Sequence, residues 1–164
     1  MKDKKYYIAY GSNLSVEQMA YRCPDARVIG TAEIEDYALL FKKFATIEPK
    51  KGKRVPVLVW EISPSDEKSL DRYEGYPRFY YKKDMMLAVC MAGTDTSQEL
   101  TAMVYIMDER RRLESPTGGY YQVLADGYRD FGFDKAVLEQ ALADSIGKRA
   151  ARLFLNGRRD DYRR

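Results

Sequence analysis

Glu74 stands in the stretch LDRYEGYPRFY, residues 70–80, with Tyr73 before it, Gly75 directly after it, and Tyr76 and Phe79 close by. A helix ending here sets the carboxyl at the carbonyl end of the helix dipole, where negative charge is disfavoured and the carboxyl pKa rises. Aromatic cover from Tyr73, Tyr76 or Phe79 pushes it the same way, toward the range in which a carboxyl gives and takes protons near neutral pH. The same residues also describe an exposed glutamate that merely ends a helix, and the local pattern leaves both readings open.

A second candidate is Tyr10-Gly11-Ser12-Asn13-Leu14. A strand running into a glycine turn at a helix start presents backbone N–H groups to an anion. The stretch lacks the G-x-x-x-x-G-K-[ST] pattern, so it suits a small carboxylate better than a nucleotide phosphate. The third is Pro116-Thr117-Gly118-Gly119-Tyr120, a loop able to act as wall or lid with the Tyr120 hydroxyl turned to a substrate. Each also has a plain structural reading, as a capped turn and as a loop beside a core tyrosine.

The sequence contains no histidine. That excludes Ser-His-Asp and Cys-His nucleophiles and removes the commonest transition-metal ligand, so no metal site is expected. Proton transfer falls to Glu, Asp, Lys, Tyr or Cys. Cys23 and Cys90 are far apart with no CxxC spacing, and read as unpaired thiols filling the core of a protein from a reducing compartment.

At 164 residues the chain fits one domain, taken as residues 1–148, followed by a basic tail at 149–164. Lys and Arg number 28 against 25 Asp and Glu, a net +3, so no general attraction to polyanions follows. Two local clusters, Glu109 to Arg112 and Arg158 to Arg164, are basic enough to meet a phosphate backbone, but no recognition motif accompanies them and nucleic acid is not an expected partner. No apolar run matches a signal peptide or a membrane span, so the expected location is cytoplasmic, as a monomer or homodimer.

Positioning these candidates requires a particular set of elements. Lys5 to Tyr10 reads as a strand, and Ser15-Val16-Glu17-Gln18 as a helix-capping signal with Met19 and Tyr21 on the apolar side. Residues 26–44 read as strand with a break near Glu35-Asp36, residues 45–48 as a short strand, 50–54 as an exposed loop, and 55–62 as an alternating strand. Ser63, Pro64 and Asp66 open a helix that runs to about Glu74. Strands follow at 80–91 and 99–107, then helices from Tyr120 and, last, from Asp134. Many strands with few helices between them favour an α+β domain with a closed or strongly curved sheet.

YGSNL after the first strand, LDRYEGYPRFY in mid-chain and the distal PTGGY together resemble the γ-glutamylcyclotransferase-like family, including its AIG2-like and γ-glutamylamine cyclotransferase branches. The resemblance runs from about Tyr6 to Gly132. It implies a compact mixed β-barrel flanked by helices. It also implies conversion of a small γ-glutamyl amide into 5-oxoproline and a free amine, without metal or cofactor. On this resemblance Glu74 is the general acid/base, Gly11, Ser12 and Asn13 hold the substrate carboxylate, Leu14 completes the binding turn, and Tyr10 and Tyr120 border the pocket. Thr117 stands where the family often has serine. The alternative is a non-catalytic module that binds a small carboxylate metabolite in the same cavity.

Overall fold

The computed structural model describes residues 3–162, and the side chains as far as Arg158. Five strands close into a barrel in the order β1-β3-β2-β4-β5. They are β1 (Lys5–Ala9), β2 (Arg27–Lys42), β3 (Phe44–Ile62), β4 (Tyr80–Met91) and β5 (Ser97–Met107). All neighbours are antiparallel except at the closure, where β1 meets β5 in parallel through Tyr7 opposite Met103 and Ile8 opposite Val104. This is the mixed α+β barrel expected from the sequence.

β2 and β3 form one long hairpin instead of several short strands. The expected break at Glu35-Asp36 is a bulge within β2, with Asp36 in a left-handed conformation at φ 59°. Residues 50–53 loop out of the register of β3 opposite it, and the Gly52 N–H donates to Asp36 Oδ1 at 2.9 Å. The exposed Lys-rich segment is thus an excursion inside a continuous strand. Val55 to Trp60 is buried throughout instead of alternating; β2 pairs along this whole part of β3, and β1 joins it from Leu58 onward.

Among the described residues five α-helices flank the barrel: α1 (Val16–Arg22), α2 (Pro64–Glu74), α3 (Gly118–Asp130), α4 (Lys135–Ile146) and α5 (Lys148–Tyr162). Ser15 caps α1 by accepting from the Gln18 N–H. Met19 is buried, but Tyr21 is 92% exposed, since the short helix turns only one narrow stripe inward. Cys23 is buried and Cys90 is exposed, so only the first serves the core.

α4 is not the last helix. The basic tail continues as α5, which packs on α4; Ala151 is buried and Phe154 meets Tyr121 edge to face at 5.3 Å. Of the Arg158 to Arg164 cluster, the side chains from Arg159 onward lie outside the described residues. No helix among the described residues is long and apolar enough to cross a membrane.

Candidate active site

α2 carries Glu74, and its two ends are specified by local chemistry. At the start, Ser63 Oγ accepts from the Asp66 N–H and Asp66 Oδ2 accepts from the Ser63 N–H, both at 3.1 Å, a reciprocal capping box with Pro64 at the first helical position. At the end, Gly75 adopts φ 64°, ψ 36°; its N–H donates to Arg72 O and the Tyr76 N–H donates to Asp71 O. That pair of bonds is a Schellman motif, which needs a left-handed residue where only glycine sits without strain. Glu74 is therefore the last residue of a sharply terminated helix. Leu70, wholly buried one turn earlier, anchors it to the core.

The Tyr10 to Leu14 stretch leaves β1 and folds into a 3-10 turn over Ser12–Leu14. The Leu14 N–H donates to Gly11 O and the Ser15 N–H to Ser12 O, leaving the Ser12 and Asn13 amides at the open start of the turn without a backbone acceptor among the described residues. The turn is held from several sides. Trp60 Nε1 donates to Asn13 O at 3.1 Å, Asn13 Nδ2 donates to the Tyr7 hydroxyl at 2.9 Å, and Ser12 Oγ shares a 2.9 Å hydrogen bond with the Tyr73 hydroxyl. The last of these ties the turn to the residue next to Glu74.

α3 brings Tyr120. Thr117 caps this helix through the Tyr120 N–H, so the threonine hydroxyl has a structural partner where serine would have had the same one. The helix starts at Gly118, earlier than the sequence suggests. The Tyr120 hydroxyl accepts from the Ala45 N–H at 3.0 Å, and a Cβ on Gly11 would come within 3.2 Å of that hydroxyl. Gly11 thus admits Tyr120 to the rim.

These elements converge on a cavity of about 380 Å³ at one end of the barrel. Glu74, Tyr10, Gly11, Ser12, Asn13 and Tyr120 all line it. Leu14 does not: it is buried, and a Cβ on Gly127 would fall 2.6 Å from its own Cβ, so it packs the turn onto α3. Of the three aromatics beside Glu74, Tyr73 and Phe79 line the cavity. Tyr76 turns away and meets Tyr105 edge to face at 6.4 Å.

Burial is the main reason the Glu74 carboxyl is raised from 4.5 to about 7; the Arg22 guanidinium pulls in the opposite direction. Among the described residues nothing hydrogen-bonds the carboxyl. It is poised to exchange protons and free to meet a ligand.

Sequence reasoning missed part of the lining. Tyr7, Tyr80 and Tyr105 come from three strands and have no local pattern to distinguish them from core tyrosines. Burial raises the pKa of each, as it does for Tyr10 and Tyr120, so these hydroxyls remain protonated at neutral pH. Tyr10 spends its proton on Tyr105 O at 2.6 Å and Tyr80 spends its own on Ala45 O at 2.8 Å. Tyr7 and Tyr120 accept hydrogen bonds, and their own O–H groups have no protein acceptor among the described residues. Arg22 was also missed: it stacks 3.4 Å above the Tyr73 ring centroid and bonds Asn13 Oδ1, clamping the turn to the end of α2. No cluster of metal-ligating side chains is found among the described residues.

Residues 7–123 match the family model described as "Gamma-glutamyl cyclotransferase, AIG2-like". The chain is 28% identical over 149 residues to the Gamma-glutamylcyclotransferase of Mus musculus, covering 84% of this chain and 77% of that protein. To the Gamma-glutamylcyclotransferase of Homo sapiens it is 29% identical over 138 residues, with 77% and 71% covered. A solved structure titled "Gamma-glutamyl cyclotransferase" superposes with a TM-score of 0.71 at 26% identity, covering 85% of this chain and 86% of that one. The chain belongs to the gamma-glutamyl cyclotransferase, AIG2-like family.

Proposed function

We propose that this protein converts a small γ-glutamyl amide into 5-oxoproline and a free amine, with Glu74 as general acid/base. The observation that carries the reading is the Glu74 carboxyl, raised to about 7 by burial and lining the same cavity as the Ser12-Asn13 turn. The substrate α-carboxylate sits against the open amides of that turn, with the Tyr7 hydroxyl as a further donor. The carboxylate of Glu74 takes a proton from the α-ammonium. The freed amine attacks the γ-carbonyl carbon and forms the ring C–N bond. The tetrahedral intermediate then collapses as Glu74 gives its proton to the departing nitrogen and the bond to that nitrogen breaks; Glu74 takes the remaining extra proton of the ring nitrogen and passes it to the released amine, which leaves as an ammonium. The carboxylate is regenerated and no water is consumed.

Because the nucleophile belongs to the substrate, the protein contributes positioning and proton transfer, which accords with a sequence that lacks histidine. The unpaired cysteines Cys23 and Cys90 support a reducing, cytoplasmic setting. A panel of γ-glutamyl amino acids and γ-glutamyl amines separates this reading from a binding module. At least one member should release 5-oxoproline with time. Thermal stabilisation by panel members without any product would instead favour the non-catalytic metabolite-binding reading.

A further inference from the structure

A basic groove of about 470 Å³ adjoins the cavity and shares Phe44 and Phe79 with it. The two rings meet edge to face with centroids 6.3 Å apart, forming a wall common to both spaces. Beyond that wall the groove is lined by basic side chains, and some are already engaged. Lys42 is buried against Glu48 Oε2 at 2.6 Å, and Arg110 holds Asp108 at 2.7 Å. Lys43, Arg111 and Arg112 have no ion-pair partner among the described residues, and only the Glu114 carboxylate faces the groove with them. The unengaged charge is therefore positive by two.

One of these cations is held by its side chain and another is placed by its backbone. The Arg111 guanidinium lies 3.9 Å above the Phe79 ring centroid, which fixes it at the shared wall. Lys43 is the tip of the β2–β3 hairpin at φ 70°, a conformation that costs a non-glycine residue energy and persists only where neighbours impose it. Here its N–H donates to Glu114 O at 3.0 Å, beside a bridge between Lys42 and Glu114. The strained backbone sets Phe44 at the mouth of the cavity and Lys43 on the groove side of it.

We propose that this groove receives the departing amine of the γ-glutamyl substrate and selects an amine carrying at least two negative charges, as a dicarboxylate or a phosphate. The inference rests on the cyclotransferase reading and adds the substrate class to it. A monocarboxylate amino acid or a cationic amine would leave the excess positive charge unanswered. Because these cations are solvent-exposed, each contributes a modest attraction, and together they give a preference of about tenfold.

The test compares kcat/KM for γ-glutamyl-glutamate with that for γ-glutamyl-glutamine, which has nearly the same shape and one negative charge fewer, and includes γ-glutamyl-phosphoethanolamine as the phosphate arm. At low ionic strength the wild-type protein should favour γ-glutamyl-glutamate, γ-glutamyl-phosphoethanolamine, or both over γ-glutamyl-glutamine by about tenfold. Which arm is favoured identifies the anion. Added salt should shrink the preference, and Lys43→Gln combined with Arg112→Gln, neither of which removes a ring contact at Phe79, should bring the ratio close to unity. Equal turnover of all three substrates by wild-type protein, or a preference that survives the double variant, overturns the inference while leaving the cyclotransferase reading intact. No 5-oxoproline from any γ-glutamyl compound overturns both.

Discussion

Replacing Glu74 with glutamine should lower kcat by about 10²- to 10⁴-fold, the usual contribution of a positioned proton-transfer group, while the fold is retained. Glutamine keeps the shape and polarity of the side chain and removes only its ability to take and return a proton. The variant should also be more stable than wild type at alkaline pH. Burial raises the folded carboxyl from 4.5 to about 7, so between those values the unfolded chain releases a proton that the folded chain retains. Stability therefore falls as pH rises through this window and stays reduced above it. The full effect corresponds to about 3 kcal/mol. Glu74→Gln should thus match wild type near pH 4 and exceed it near pH 8 in urea denaturation, by up to about 3 kcal/mol. Unchanged turnover would remove Glu74 from the chemistry, and an unchanged stability difference across that pH range would mean that the carboxyl is not raised.

Gly30→Ala should be the most damaging small substitution in the barrel. Gly30 lies where β2 touches β4, opposite Met91, and it and Thr31 form the register pairs between those two strands. A Cβ at Gly30 would lie 2.0 Å from Cys90 O and 3.0 Å from Val89 Cγ1. The first obstacle is backbone, so no side-chain rotation relieves it, and the strands must separate at a barrel seam. We expect a loss at the upper end of the overpacking range, about 3 kcal/mol, which corresponds to a fall in Tm of about 6–12 °C for a chain of this length. A thermal melt within about 2 °C of wild type would show that the seam can open without cost.

The parts of this fold that were legible in the sequence are those dictated by neighbours in the chain. Ser63, Pro64 and Asp66 mark the start of α2, and Glu74-Gly75 mark its end, because caps and left-handed glycines are local chemistry. The stop of β1 at the YGSN turn is legible for the same reason. Features set by tertiary contact were not. Residues 50–53 look like a loop, yet β2 continues past them on both sides and keeps β3 a single strand. Tyr21 looks apolar-facing, but α1 is too short to bury it. α5 has a basic, polar composition and is anchored by the buried Ala151 and by Phe154, whose partner Tyr121 lies on α3.

The site divides in the same way. Glu74, Tyr10, Gly11, Ser12, Asn13 and Tyr120 could be named because each sits in or beside a turn motif. Leu14 belongs to the same motif, but its side chain emerges on the opposite side of the 3-10 turn, against Gly127. Tyr7, Tyr80 and Tyr105 reach the cavity because the barrel closes, and Arg22 supports it from outside the lining because α1 ends beside Tyr73. Of the two causes the sequence offered for a raised Glu74 pKa, the helix dipole and aromatic cover, burial is the chief one, with neighbouring Tyr73 and Phe79 and groups from other strands lining the same cavity.

Cyclisation by the substrate's own amine is tested most directly by following the products of one γ-glutamyl amide by NMR, with the α-amine free and with it acetylated. The free-amine substrate should give 5-oxoproline and the departing amine in equal amounts, with no glutamate formed, and the acetylated substrate should give nothing. Release of glutamate, or turnover of the acetylated compound, would contradict intramolecular attack and with it the role assigned to Glu74.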